Sequence, residues 1–138
     1  MSSGSKKYGI VILVILLIVF GVYRIVLYRR LIHHYVLTKA VITGVRQYEL
    51  RSPGIYFEFF FNVGDKKITF RKSMNCKKEN AEILDKMLYG KEMYAIYDNT
   101  NLDNCELILY PLEIKEYKLD LSATYDSLLK VIDSVKSL

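Results

Sequence analysis

The sequence is poor in the residues that build disulfide scaffolds, linkers and histidine-dependent active sites. Its 138 residues include two cysteines, two prolines, two histidines and no tryptophan. Two cysteines are too few for a disulfide scaffold, and so little proline and glycine excludes a collagen-like or linker-like chain. Because 51% of the residues are apolar and 25% are charged, the composition is typical of a folded chain rather than a disordered one.

Acidic residues are missing from one end of the chain. Residues 1–30 contain five lysines and arginines and no aspartate or glutamate, whereas residues 31–138 contain fifteen residues of each sign. The formal net charge of +5 therefore belongs to the N-terminal segment. A nucleic-acid-binding domain would concentrate basic charge on its folded part, so we expect no nucleic-acid partner.

The same N-terminal segment contains a long uncharged run. The sixteen residues Tyr8–Tyr23 carry no charge, and the apolar run resumes after Arg24. A helix over Tyr8–Tyr28 would be about 31 Å long, which matches a hydrocarbon core of about 30 Å. We therefore predict an N-terminal tail at 1–7, a single-pass transmembrane anchor at 8–30 and a juxtamembrane linker at 31–36.

Basic residues flank this apolar run on both sides. They are Lys6, Lys7, Arg24, Arg29 and Arg30. A cleaved signal peptide would need small residues before its cleavage site, and residues 20–24 (FGVYR) offer a poor one. A soluble core helix would carry a polar stripe, which is missing here. We expect an uncleaved anchor whose partner is the lipid bilayer.

The orientation of the anchor is left open by its charges. The basic residues after the apolar run favour a cytoplasmic C-terminal domain under the positive-inside rule. Lys6 and Lys7 directly before the apolar run are instead typical of a signal anchor, which exports the domain on its C-terminal side. Our expectation is a bacterial inner-membrane protein whose C-terminal domain is exported.

Residues 37–138 are predicted to form one α+β domain. The predicted strands are Leu37–Leu50 with a bulge at Gly44, Ile55–Phe61, Lys67–Arg71, Glu92–Tyr97 and Cys105–Tyr110. The predicted helices are a short one at Lys78–Leu88, stopped by Gly90, and an amphipathic one at residues 122–138 that Ser122 caps. The fold class is a single N-terminal transmembrane helix followed by a small antiparallel β-barrel or sandwich of about five strands.

The aromatic run from Tyr56 to Phe61 has two interpretations. It could be a stacking platform for single-stranded nucleic acid. Because residues 31–138 carry no excess of positive charge, a strand buried on both faces explains the run better.

Motifs for catalysis are missing from the sequence. It contains no glycine-rich phosphate loop after a strand, no GxSxG and no CxxC. Its histidines, His33 and His34, are adjacent, so they make neither a catalytic triad nor a metal pair. Asp98, Asp103 and Glu106 lack the spacing of an EF-hand, and turn formation explains the aspartates better. We therefore predict no enzyme, no cofactor and no metal.

Cys76 and Cys105 stand twenty-nine residues apart. They could form a disulfide if the domain is exported. Separate reduced thiols are an equally open alternative, since spacing alone does not bring two sulfurs within bonding distance.

Residues 90–109 (GKEMYAIYDNTNLDNCELIL) resemble the closing motif of small membrane-anchored β-domains that are common in Bacteroidetes. In that motif a glycine leads into a strand, a turn comes next, and an apolar strand ends the domain. Residues 39–48 (KAVITGVRQY) and Tyr56–Phe61 match loosely, and the broader similarity is to the DUF3592-type domain over residues 36–110. This sequence departs from the pattern at Asn101-Leu102, where the family has Asn-Pro, and in its inserted helix. The resemblance implies a small β-barrel or sandwich and no known activity.

The sequence supports two hypotheses of function. In the first, the protein is a membrane-tethered, non-catalytic binding or accessory module of an envelope assembly, with a protein partner. In the second, it is a membrane-anchored immunity protein that neutralises a toxin.

Overall fold

The computed structural model describes residues 3–49 and 54–138. In order, the elements are α1 (Ser3–His34), β1 (Tyr35–Gln47), β2 (Ile55–Val63), β3 (Lys66–Met74), α2 (Asn80–Leu88), β4 (Glu92–Asp98), β5 (Asn101–Leu107), α3 (Pro111–Glu116) and α4 (Ala123–Lys136). A long apolar N-terminal helix thus precedes a five-stranded antiparallel sheet and a C-terminal helix. This confirms the predicted fold class.

The sheet curls into a nearly closed barrel. Its strand order is β3-β2-β1-β4-β5, and all neighbouring strands are antiparallel. The register of β1 against β2 shifts between Ile42 and Gly44, as expected for the predicted bulge. The two edge strands, β3 and β5, approach each other across the remaining seam without pairing. The sequence predicts a turn at residues 51–54 from its proline and glycine. Residues 51–53 lie outside the described residues, and Gly54 has a φ of 95°.

Strand β2 supplies much of the barrel core. Ile55, Phe57, Phe59 and Phe61 point inward and are at most 1% exposed. Between them, Tyr56, Glu58 and Phe60 point outward and are only partly buried. The expectation of a strand buried on both faces is therefore wrong. Period-2 alternation leaves the outer row of side chains at the surface.

Helix α4 packs on the barrel as its periodicity predicts. Tyr125, Leu129, Ile132 and Val135 are its buried residues. The Ser122 hydroxyl accepts a hydrogen bond from the backbone N–H of Tyr125 at 3.4 Å, which confirms the predicted cap. The Tyr125 hydroxyl donates to the Ile108 carbonyl at 2.6 Å and accepts from the Tyr94 N–H at 3.1 Å. These bonds fix α4 against both β4 and the end of β5.

Three segments differ from the sequence-based expectation. Strand β5 spans Asn101–Leu107 rather than Cys105–Tyr110. It begins earlier because a tight turn comes after Asp98 instead of a long loop, and it ends three residues before Tyr110. In that turn, Asp98 Oδ1 accepts hydrogen bonds from the Thr100 N–H at 2.9 Å and the Thr100 hydroxyl at 2.6 Å. Helix α3 has no counterpart among the predicted elements; Pro111 occupies its first turn and Glu113 caps its start. The interval 31–36, predicted as a linker, holds the last turn of α1 and the start of β1.

Candidate functional site at the helix–barrel junction

Helix α1 has two parts with different surroundings. From Lys6 to Tyr23 its side chains are exposed, apart from a half-buried Gly21. Beyond Arg24 it touches the barrel, and Leu31 is 4% exposed. We call Tyr8–Tyr23 the bare segment; at 1.5 Å per residue it is about 24 Å long.

Helix α1 is long and apolar enough to cross a membrane. The stretch Lys6–His34 contains an 18-residue window with a mean hydropathy of 3.1, none of it buried. A signal sequence near an N-terminus shares these properties. Length and composition thus establish the capacity to span a bilayer.

Specific contacts fix α1 to the barrel. The Asn104 side chain donates a hydrogen bond from Nδ2 to the Leu27 carbonyl at 2.8 Å. The rings of Tyr28 and Tyr117 lie 6.4 Å apart between centroids. Since β1 begins directly after His34, the helix and the barrel are joined by packing as well as by the chain.

A cleft of about 240 Å³ opens beside these contacts. We call it the Arg24 cleft; it is lined by Arg24, Leu27, Tyr28, Leu31, Asp103, Asn104, Cys105, Glu106 and Tyr117. In this cleft the carboxylates of Asp103 and Glu106 complement the charge of Arg24. Burial, reinforced by the charges of Glu106 and Asp103, raises the pKa of the Cys105 thiol to about 12. That thiol is therefore uncharged at pH 7, and it lines the cleft as a poor nucleophile.

A second recess, of about 370 Å³, lies nearer the end of α1. We call it the Asp98 recess; it is lined by Arg30, His34, Asp98 and Thr100. Asp98 is 1% exposed, and its Oδ2 has no hydrogen-bond partner among the residues the structure describes. The hydrogen bonds from Thr100 lower the pKa of Asp98 against the opposing effect of burial. A weaker side-chain hydrogen bond from Asn104 and the charge of Arg30 lower it further. The recess thus contains a buried carboxylate that is charged at pH 7 and half satisfied.

The seam between β3 and β5 is bridged by Lys72. Its Nζ lies 2.5 Å from Glu106 Oε1 and 2.7 Å from the Leu107 carbonyl, and it also contacts Glu113. Glu113 in turn accepts hydrogen bonds from the N–H groups of Leu109 and Tyr110 at 2.7 and 3.0 Å. Because the ammonium is surrounded by acceptors and only 12% exposed, Lys72 is a structural bridge here.

The outward side chains of β1, β2 and β3 form a face rich in cations and aromatic rings. We call it the outer face; its residues are Arg46, Tyr56, Glu58, Phe60, Lys67 and Arg71. Lys67 Nζ lies 4.1 Å from the centre of the Phe60 ring, and the Arg71 guanidinium lies 4.8 Å from that of Tyr56. Arg46 and Arg71 flank Glu58 at 3.5 and 3.6 Å. The face carries three cations against one carboxylate.

The residues singled out from the sequence are dispersed over the molecule. Lys6, Lys7 and Arg29 are exposed along α1, whereas Arg24 and Arg30 each line a recess.

Cys76 and Cys105 are not bonded to each other in the structure. Cys76 is buried beside Asn80, whose Nδ2 lies 3.6 Å from its sulfur, and Cys105 pairs with Tyr97 across β5 and β4. The disulfide stays a prediction that only a redox measurement tests. Within residues 3–49 and 54–138, no group of three or more His, Cys, Asp or Glu side chains is placed to hold a metal ion.

Sequence reasoning missed the residues that make the junction. Asp98 was expected only to form a turn, which it does, and His34 only to lie in a polar juxtamembrane segment. The hydrogen bond from Asn104 to Leu27 joins residues 77 positions apart, so no local sequence pattern predicts it.

Comparison with known proteins adds no further assignment. No family model, no curated protein and no solved structure matches the chain. The resemblance to the DUF3592-type domain stays a prediction, and the function has to be argued from the junction and the outer face.

Proposed function

We propose that the protein is a membrane-tethered, non-catalytic binding module, in which α1 is an uncleaved anchor and the barrel holds a protein partner. The observation that carries the proposal is the contrast within α1. Its bare segment is uncharged and exposed, while further along the same helix Leu27 is half-buried and Leu31 is 4% exposed against a folded domain. Because the end of the same helix packs on the domain, a retained α1 would anchor the barrel without a flexible linker between them.

The charges at the two ends of the bare segment support this placement. Lys6 and Lys7 precede it, and Arg24 comes directly after it. The bare segment is about 24 Å long, and a core of about 30 Å can be matched by snorkelling of these flanking cations. The carboxylates of the Arg24 cleft then lie in the hydrated headgroup layer, where a charged group is tolerated.

The outer face is the surface that supports binding. Arginine and aromatic side chains are enriched at protein interfaces because they bury much area with little loss of conformational freedom. With three cations against one carboxylate, the outer face complements an acidic partner surface. Because the junction contacts fix the barrel to α1, this face is presented at a constant height above the membrane.

The experiment is capture of partners by full-length protein in native membranes after chemical cross-linking. We expect Arg71→Glu to reduce the captured partner at least about tenfold, since reversal of an interfacial charge costs several kcal/mol. Lys86→Glu is the matched control, because Lys86 is an exposed cation on α2 whose ion pair with Glu82 contributes little. Equal loss in both variants, or in neither, would contradict the outer face as the binding surface.

The identity of the captured partner separates the two hypotheses of function. A structural envelope protein fits an accessory module. A toxin whose activity is abolished by the intact barrel fits the immunity protein and would replace the accessory role.

Export of the barrel is part of the proposal and needs its own probe. The native thiols are unsuitable, because Cys76 is buried and the pKa of Cys105 is raised to about 12. A Ser127→Cys variant places an exposed thiol on α4. An exported barrel should react with a membrane-impermeant maleimide in intact cells; reaction only after lysis would place the barrel in the cytoplasm.

A further inference from the structure

The Asp98 recess contains a carboxylate whose hydrogen-bonding capacity is only partly used. Asp98 Oδ1 accepts two hydrogen bonds from Thr100, while Oδ2 is buried and has no partner among the described residues. Leaving a buried charged acceptor unsatisfied is costly, and such groups normally have a partner. The side chains that share the recess are Arg30 and His34 of α1.

The recess lies at the height of lipid headgroups if α1 spans the bilayer. Arg30 is two residues beyond Tyr28 and seven beyond Tyr23. These separations correspond to about 3 and 10 Å along the helix. The headgroup layer extends roughly 5–8 Å beyond the hydrocarbon core on each side. If the hydrocarbon boundary falls near Tyr28, Arg30 lies within this layer. If it falls near Tyr23, Arg30 lies just beyond the layer, and its long side chain can reach back to a headgroup.

The chemistry of the recess matches both charges of a zwitterionic headgroup. Arg30 and His34 carry N–H donors that suit a phosphate. The free Oδ2 of Asp98 is an acceptor that suits an ammonium group with N–H donors. A primary ammonium supplies three such donors, whereas a quaternary trimethylammonium supplies none. At about 30 Å³ per water molecule, 370 Å³ exceeds the room that the eight non-hydrogen atoms of a phosphoethanolamine group require.

We propose that the Asp98 recess binds the headgroup of a phospholipid that carries a primary ammonium, with the phosphate on Arg30 and His34 and the ammonium on Asp98. The inference rests on the proposed anchoring of α1 in the membrane. The alternative is that the Arg30 side chain pairs with Asp98 within the protein, which would leave no site for a lipid.

The test uses full-length protein reconstituted in phosphatidylcholine vesicles that contain a minor fraction of one test lipid. The test lipids are phosphatidylethanolamine and its N-monomethyl and N,N-dimethyl derivatives, which lose one N–H donor at each step. Native mass spectrometry then counts the lipid retained per protein. We expect retention to fall with each methyl group and to be at least about tenfold lower for phosphatidylcholine, as for the loss of a charge-assisted hydrogen bond.

Asp98→Asn is the decisive variant. Its amide oxygen still accepts the two hydrogen bonds from Thr100, so the turn is preserved, while the charge that attracts the ammonium is removed. We expect Asp98→Asn to retain phosphatidylethanolamine and phosphatidylcholine equally. Asp133→Asn, at an exposed position on α4, is the matched control and should keep the preference.

Other outcomes would overturn the inference. Equal retention of both lipids by the wild type would support the internal pairing with Arg30. An unchanged preference in Asp98→Asn would show that Asp98 does not bind the ammonium. Displacement of the retained lipid by inorganic phosphate at millimolar concentration would show a site for free phosphate rather than for lipid. Failure of the protein to float with the vesicles would contradict the anchoring itself, whereas flotation without a headgroup preference would contradict only the recess.

Discussion

The bare segment of α1 and strand β2 are both rich in large apolar side chains, yet they lie in opposite surroundings. In the bare segment, Phe20 is 62% exposed and its neighbours are similar. In β2, Phe57 and Phe59 are at most 1% exposed. Apolar composition therefore does not decide burial within the domain. The difference lies in the pattern, because β2 alternates with outward Glu58 and Phe60 while the bare segment has no polar side that could face water.

The two sets of apolar side chains are therefore expected to be covered in different ways. The inward row of β2 is covered by the barrel, whereas the domain leaves the bare segment exposed. In the proposed anchoring, lipid covers these side chains. Substitutions in the two regions should therefore affect the unfolding of the barrel very differently.

The largest expected effect is truncation of the inward row. Phe57→Ala should lower the free energy of unfolding by about 3–5 kcal/mol, because it removes a large side chain from a closely packed core. Phe60→Ala, on the outer face of the same strand, should cost no more than about 2 kcal/mol, since Phe60 is only partly buried. Urea denaturation of both variants measures the difference; equal costs would mean that the assignment of inward and outward rows is wrong.

Loss of the seam bridge comes next. Lys72→Met should destabilise the barrel by about 3 kcal/mol, because it leaves Glu106 and Glu113 without their buried cation. The exposed pair of Lys86 with Glu82 on α2 provides the control, and Lys86→Met should cost about 0.5 kcal/mol or less. If Lys72→Met unfolds at the same urea concentration as the control, then Lys72 does not close the barrel.

The junction bond should contribute less. Asn104→Ala removes the hydrogen bond to the Leu27 carbonyl and should cost about 1 kcal/mol. Asn99→Ala, in the exposed turn before β5, should be close to neutral. Hydrogen exchange of α1 beyond Arg24 should accelerate in Asn104→Ala alone, and unchanged exchange would argue against a fixed junction.

The smallest effect concerns pH. Hydrogen bonds from Thr100 lower the pKa of Asp98, so this carboxylate contributes stability above its unfolded pKa of about 4. That contribution is lost as the pH falls through the lower pKa of the folded state. Thermal denaturation between pH 7 and pH 3 should therefore show a shallower acid decline for Asp98→Asn than for the wild type. Parallel curves would mean that Asp98 has the same pKa in both states.

The elements with a strong periodic pattern could be predicted from the sequence. Strands β2 and β3 were evident from the aromatic run of Ile55–Phe61 and from the alternation of Ile68 and Phe70. Helix α4 was evident from its apolar spacing and Ser122. The first half of β5 could not be found, because Asn101 and Asp103 are common in loops and an edge strand needs few apolar residues.

The candidate site was beyond sequence reasoning for a different reason. The contacts of Asn104 with Leu27 and of Lys72 with Glu106 join distant segments. They depend on how the barrel closes and where α1 docks, and neither is encoded in a local pattern. In the sequence, nothing links His34 to Asp98. They share a recess because the end of β4 lies beside the end of α1 in the fold.

The most direct test of the central claim is a measurement of the depth of α1 in lipid. The chain has no tryptophan, so Leu16→Trp and Tyr28→Trp each introduce a single tryptophan fluorophore. In vesicles of brominated phospholipids, Leu16→Trp should be quenched most strongly by bromines near the bilayer centre, and Tyr28→Trp by bromines near the headgroups. Quenching of Leu16→Trp by aqueous iodide, with no quenching by any brominated lipid, would contradict a membrane-spanning α1.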